Sequence, residues 1–347
     1  MSAPRYDYAQ IAAELIRALR GKRSQTALSR RLGYKTNVVY IWEAQKGAPT
    51  ASGFFRLLSR LKLEPEERLV AFYRVRPDWL NRVDLCAVDG PAALLNDLKG
   101  KRTLVETAAS MSASRYALSR WLSGEAEPRL PDFLEAIEVT SLRLLDFIAA
   151  FVDPALLPCM QAAWHRLQEA RRAAYEMPWS HAVLRALELE TYKNLPVHQP
   201  GWIARQLGLD LAIEQEALHL LGRTGQIELV AGKWHIVDTL TIDTRRDPGA
   251  AAQLKAWWFG IGKQRFEQGA PGVFSYNLFG VSHKDLTRIQ ELQRAHFREI
   301  RRIVAESQPV ETVAVVNLQI FSLLFDATKS KEPGRDTVPL SLGTMTE

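Results

Sequence analysis

From residue 8 onward the chain alternates short amphipathic stretches with polar breaks. Ile11, Leu15, Ile16 and Leu19 recur at three- and four-residue spacing and predict a helix over Tyr8 to Leu19, ended by Gly21. Ser24 is a cap-competent start for a second helix through Leu32, with Gly33 behind it. A third is predicted from Thr36 to about Ala44, seated on Val38, Val39 and Trp42. Gly47-Ala48-Pro49-Thr50 breaks the pattern before a fourth helix with Phe54, Leu57, Leu58 and Leu61. Helices this short, with three-to-four-residue breaks, match a helix-turn-helix unit.

The pattern returns further along at one constant offset, so that Trp121 answers Trp42 and Pro128 answers Pro49. Ala108, Met111, Ser112 and Leu118 fall opposite Ser29, Leu32, Gly33 and Val39. Helices over Ala92 to Leu98 and Leu130 to Val139 flank this second copy. It departs from the first where Leu104 replaces Gln25 and Leu122 replaces Glu43.

Beyond residue 154 the spacing predicts helices over Leu156 to Tyr175 and Trp179 to Tyr192. Pro200 to Leu209 and a helix from Ala212 to Thr224 lead into Ile227 to Val230 and Lys233 to Val237. Those two runs alternate across Ala231-Gly232, a hairpin signal, and the whole resembles a winged helix. Phe274 to Phe279 reads as a strand, Lys284 to Glu306 as a long helix and Thr312 to Leu324 as a β-rich stretch. The resulting division is 1–76 and 77–153 for the two copies, 154–195 for a helical connector and 196–238 for the winged-helix-like unit. An α+β domain follows over 239–326, and the aperiodic tail 327–347 is expected to be disordered. The fold class expected is mainly α, with tandem helix-turn-helix units ahead of a winged-helix-like α+β domain.

At 347 residues the chain is too long for one ordinary core, consistent with several domains. Its net charge of +6 matters less than its placement. Residues 1–76 hold fifteen Lys and Arg against six Asp and Glu, whereas 77–156 hold eight against twelve. A basic first quarter favours a polyanion through counterion release.

The stretch from Ser24 through Glu43 resembles the lambda repressor/Cro-like family of helix-turn-helix regulators, of the xenobiotic response element type. Gln25 stands at the start of helix 2, a small residue at Ser29, Leu32-Gly33 at the turn and Trp42-Glu43 at the end of the recognition helix, with Gly47 and Pro49 following. The resemblance implies double-stranded DNA as partner, and Gln25 as a phosphate clamp. Residues 179–324 resemble an uncharacterised bacterial domain family that often follows helix-turn-helix units, on the winged-helix segment and on Val313 to Phe321.

Major-groove readout needs polar side chains at the leading end of an anchored helix. Lys35, Thr36, Asn37 and Tyr40 occupy that end, with Asn37 able to pair bidentately with adenine, and Arg23, Arg30 and Lys46 are candidate phosphate neighbours. In the second copy Ser114, Arg115, Tyr116, Ser119 and Arg120 are the corresponding candidates, for DNA or for packing. The candidate recognition helix of the winged-helix segment carries Glu214, Glu216 and His219. Its two carboxylates would repel phosphates, so that unit is expected to pack against something instead, such as another copy of itself. Trp257, Trp258, Phe259, Phe266, Phe274 and Tyr276 form an aromatic group suited to a core or a ligand pocket.

No catalytic spacing is present: no HExxH, no GxSxG, no phosphate-cradling glycine loop. Cys86 and Cys159 stand alone, which fits a reducing compartment, and neither a secretory leader nor a membrane span is read. The expectation is a cytoplasmic, non-enzymatic transcriptional regulator without cofactor, acting as a homodimer on DNA. The rival reading is a protein-partner or RNA-binding module of antitoxin type.

Overall fold

Local capping sets where the first helices begin. Asp7 accepts from the Gln10 amide at 3.0 Å and opens α1 (Tyr8–Arg20), whose Ile11, Leu15 and Ile16 are buried. Gly21 takes a positive φ of 59°, a conformation L side chains resist, and ends it. Ser24 caps α2 (Gln25–Arg31), Asn37 caps α3 (Val38–Glu43) and Thr50 caps α4 (Ala51–Arg60). Pro65 sits in the first turn of α5 (Pro65–Tyr73), where its missing N–H costs nothing. The computed structural model describes residues 6–74, 76–237 and 247–324.

A second run of helices follows a 3-10 turn at Asp78–Asn81: α6 (Asp89–Lys99), α7 (Leu104–Ala109), α8 (Arg115–Ser123), α9 (Leu130–Ser141) and α10 (Leu144–Phe151). Thr103 and Glu106 form a reciprocal capping box on α7, and Ser114 caps α8. All ten helices share one core, running from Tyr8 through Phe54, Phe55, Phe133 and Phe147. It does not stop at α10. Met160, Ala163, Trp164 and Leu167 of α11 (Pro158–Glu176) belong to it.

A second core lies beyond α11, built on α12 (Pro178–Ala186), α13 (Glu190–Lys193), α14 (Trp202–Leu207) and α15 (Leu211–Arg223). Val183, Tyr192, Ile203, Ala217 and Leu221 fill it. The hairpin β1 (Ile227–Val230) and β2 (Lys233–Ile236) closes on it through Ile227, in antiparallel register with Val230 opposite Lys233. Ala231 and Gly232 both take positive φ, the geometry a two-residue turn needs to match strand twist. Two more helices follow, α16 (Pro248–Glu267) and α17 (His283–Glu306). Among the described residues no helix is long and apolar enough to cross a membrane.

The chain is mainly helical with one small sheet, and several elements differ from the sequence reading. The third helix starts at Val38 rather than Thr36, because Asn37 folds its side chain onto the Tyr40 amide and caps it. Phe274 to Phe279 and Thr312 to Leu324 form no strand. Their aromatic and branched composition suits a sheet, but among the described residues no strand pairs with them, and a strand without a partner has no ladder. In place of an α+β domain, the described part of 239–326 holds α16 and α17, and its α16 was unread because its apolar residues share no one face. The predicted helix over Trp179 to Tyr192 divides into α12 and α13 at Leu187-Glu188-Leu189. The tail 327–347 lies outside the described residues.

Candidate nucleic-acid interface

Ser29 is the hub of the α2–α3 pair. It is buried, its hydroxyl lies 2.9 Å from the Gln25 carbonyl and 3.1 Å from Asn37 Oδ1, and it accepts from the Val39 amide at 3.1 Å. Its own carbonyl accepts from the Tyr34 amide across the turn. With these contacts one short hydroxyl side chain links both helices. Gly33, at φ +88°, makes the turn between them.

The other end of α3 is held by charge. Glu43 is buried and accepts from Arg20 Nε at 2.6 Å and from Gln25 Nε2 at 2.8 Å, with Arg17 3.8 Å away. Burial alone would raise its carboxyl. The hydrogen bonds of Arg20 and Gln25 and the charges of Arg20 and Arg17 outweigh it and hold the group below its ordinary value. α3 is therefore tied to α1 and to the start of α2, while Val39 and Trp42 seat it on the core.

What remains outside is cationic and polar. Lys35 and Thr36 are exposed in the turn ahead of α3, and Tyr40 is 48% exposed on its first turn. Lys46 lies 5.6 Å from the Tyr40 ring centre. Arg23, just ahead of α2, and Arg30, near its end, are also exposed, and among the described residues no carboxylate pairs with Arg23, Arg30, Lys35 or Lys46. Two candidates differ from the free polar groups the sequence suggested. Asn37 spends its Oδ1 on the cap and on Ser29, and Gln25 spends its amide N–H on Glu43. The contacts of Asn37 with Ser29 and of Gln25 with Glu43 were not legible, because those partners lie 8 and 18 residues away.

The second unit keeps the layout and changes the chemistry. Ala108 stands at the place of Ser29, so the turn after α7 is tied to α9 instead: Ser112 donates both its amide and its hydroxyl to Glu135 at 2.8 Å. Leu104 and Leu122 replace the Gln25–Glu43 pair and pack against the core. Ser114 is the cap of α8. Arg115 is exposed, Tyr116 is 72% exposed with Arg120 5.8 Å from its ring centre, and Ser119 is half-buried.

In the C-terminal half, Glu214 is fully buried and accepts from the amides of Gly201 and Ala204, so it supports α14 and does not face a ligand. His198 Nε2 lies 3.6 Å from it and His198 Nδ1 lies 3.2 Å from the Tyr192 hydroxyl. Trp257 and Trp258 pack with Trp179, at ring separations of 5.1 and 5.7 Å, while Tyr276 is 95% exposed. No group of three His, Cys, Asp or Glu that could hold a metal occurs among the described residues.

Residues 159–323 match a domain of unknown function, DUF4423. The match opens on α11 and takes in both the second core and α17. It agrees with the likeness of residues 179–324 to an uncharacterised domain family and begins earlier, in the first turn of α11. No curated protein matches the chain, and no solved structure does.

Proposed function

We propose that the chain is a sequence-specific DNA-binding transcriptional regulator of lambda repressor/Cro type. In this reading α2 and α3 are a helix-turn-helix, α3 lies in the major groove, and Lys35, Thr36 and Tyr40 meet base edges or phosphates at its leading end. Arg23, Arg30 and Lys46 position the duplex by its phosphates. Asn37 keeps its Nδ2 for an adenine acceptor while its oxygen holds the helix start, and Gln25 keeps the second N–H of its amide for a phosphate. The α14–α15–hairpin succession is a winged-helix-like unit within the DUF4423 match, serving signal sensing or assembly. The supporting observation is the arrangement of α3: Val39 and Trp42 anchor it, Lys35, Thr36 and Tyr40 are exposed at its leading end, and among the described residues no carboxylate pairs with Lys35, Lys46, Arg23 or Arg30.

Selection of duplexes from a random pool tests the proposal. The wild-type chain is expected to prefer its selected duplex about 10³-fold or more over random DNA, with affinity falling steeply as salt rises. Lys35→Ala with Thr36→Ala and Tyr40→Ala, all at exposed positions, should erase most of that preference while the melting curve stays in place. An equal affinity for all duplexes would overturn the proposal. Preference for RNA, or for a protein partner alone, would replace it with the antitoxin-type reading.

A further inference from the structure

The contact between the two units is built from equivalent residues. Thr50 forms an antiparallel bridge with Arg129, and these two positions are separated by the same offset that relates Trp42 to Trp121. The flanking bonds are reciprocal: the Ala51 amide donates to the Pro128 carbonyl at 3.0 Å, and the Leu130 amide donates to the Pro49 carbonyl at 2.9 Å. Shifting both partners by the repeat offset converts each bond into the other. Directly opposed residues of an antiparallel pair are related by a local twofold axis. Because the opposed residues are themselves equivalent, that axis relates one unit to the other.

The helices α5 and α10 extend the symmetry. They too are related by the repeat offset, with Leu69 answering Ile148 and Phe72 answering Phe151. They run antiparallel, as equivalent helices do across a dyad normal to them: Arg143, at the start of α10, donates to the Phe72 carbonyl at the end of α5 at 2.9 Å. Arg68 reaches the Ala150 carbonyl near the end of α10 at 3.4 Å. The phenylalanines of both units interleave, with Phe55 beside Phe133 and Phe54 beside Phe151. The shared core leaves the units no freedom to separate.

We infer that residues 8–151 are a pseudo-dimer within one chain, which reads a non-palindromic duplex as a monomer with α3 on one half-site and α8 on the other. This inference rests on the DNA-binding reading. From Glu43 the chain reaches the bridge at Thr50, and from Ser123 it reaches Arg129, so α3 and α8 leave toward the same axis from opposite sides. A duplex has its own twofold axes normal to its length. Units related by such an axis meet successive major-groove segments, about 10 bp apart. The two leading ends differ, Lys35-Thr36-Asn37 against Ser114-Arg115-Tyr116, so the half-sites differ also. The homodimer expected from one small unit becomes unnecessary, since the second unit is supplied in the same chain.

The test uses the full chain on its selected duplex. One chain per duplex is expected by sedimentation, with two protected patches about one helical turn apart. Arg115→Ala with Tyr116→Ala should remove the weaker patch alone and lower affinity about tenfold. Thr36→Ala with Tyr40→Ala should remove the other. In a chain carrying Thr50→Cys and Arg129→Cys, oxidation should form a 50–129 link within one chain and leave affinity unchanged within about twofold, since opposed positions without mutual hydrogen bonds stand ~4.5 Å apart. A selected duplex with a single protected patch, a palindromic site holding two chains, or indifference to the Arg115 and Tyr116 changes overturns the pseudo-dimer and leaves DNA reading intact. A cross-link only between chains also overturns it. Failure to select any duplex overturns both.

Discussion

Glu43 is the residue on which the α3 anchor turns. Its carboxylate is buried, yet held ionised by two guanidinium groups and an amide. A group whose folded value lies below its unfolded one adds stability above the unfolded value and loses it as pH falls through the folded value. Glu43→Gln removes that linkage and is expected to cost about 1–3 kcal/mol at pH 7, because Arg20 loses its charged acceptor. The gap between variant and wild type should shrink as pH drops from about 5 toward 3, and denaturant titrations at each pH measure it. A gap independent of pH would mean that shape alone holds the site. The Trp42-Glu43 pair was readable as the end of a helix, but the partners were not: Arg20 is 23 residues away, and periodicity carries no information on such pairs.

Among the elements, helices with an internal cap and a one-sided apolar stripe were legible, and those defined by a distant partner were not. α1 and α4 show both signals in their own residues, Asp7 or Thr50 at the start and an apolar row behind. α5 and α10 escaped as repeat members because the likeness is confined to Glu67/Asp146 and the short apolar run from Leu69/Ile148 to Phe72/Phe151, while Pro65, Glu66 and Arg68 correspond to Leu144, Leu145 and Phe147. Residues 274–279 carry strand composition and meet no strand, so tertiary context overrides propensity. α3 sits between these cases, since its core face was plain and its first residue was not. Asn37→Ala should therefore cost about 1 kcal/mol of stability by loss of the cap, while Asn37→Asp costs little. Thermal melts separate this from any change in DNA affinity. Equal stability of the two variants would show the Asn37–Tyr40 contact to be idle.

Taking the chain from end to end, the boundary of the first core is the feature furthest from the sequence reading. Residues 154–195 read as a connector, because Arg166, Arg171 and Arg172 are expected to face outward from a helix that follows a Pro-rich break, whereas Arg171 is buried and donates to Asp146 of α10 at 2.6 Å. In the structure α11 is part of both halves. Its Met160, Trp164 and Leu167 complete the first core, and its contacts with α12 and α15 join the second. Its start is tied to α1: the Cys159 amide donates to Glu14 at 3.0 Å. Burial and the Glu14 carboxylate push the Cys159 thiol up to about 12, so it stays a neutral packing group. The DUF4423 match begins at this same residue, so in this chain the first matched helix lies inside the core of the segment before it. A fragment ending at residue 153 would expose the surface that α11 covers. Burying a large apolar side chain contributes roughly 1.5–3 kcal/mol, so losing three should destabilise residues 1–153 by about 5 kcal/mol relative to 1–176. Urea midpoints of the two fragments decide it, and coincident midpoints would return α11 to the role of a connector. If the shorter fragment is the weaker one, any signal that moves the C-terminal half acts on the N-terminal half through one continuous helix, with Glu14 and Trp164 as its points of purchase.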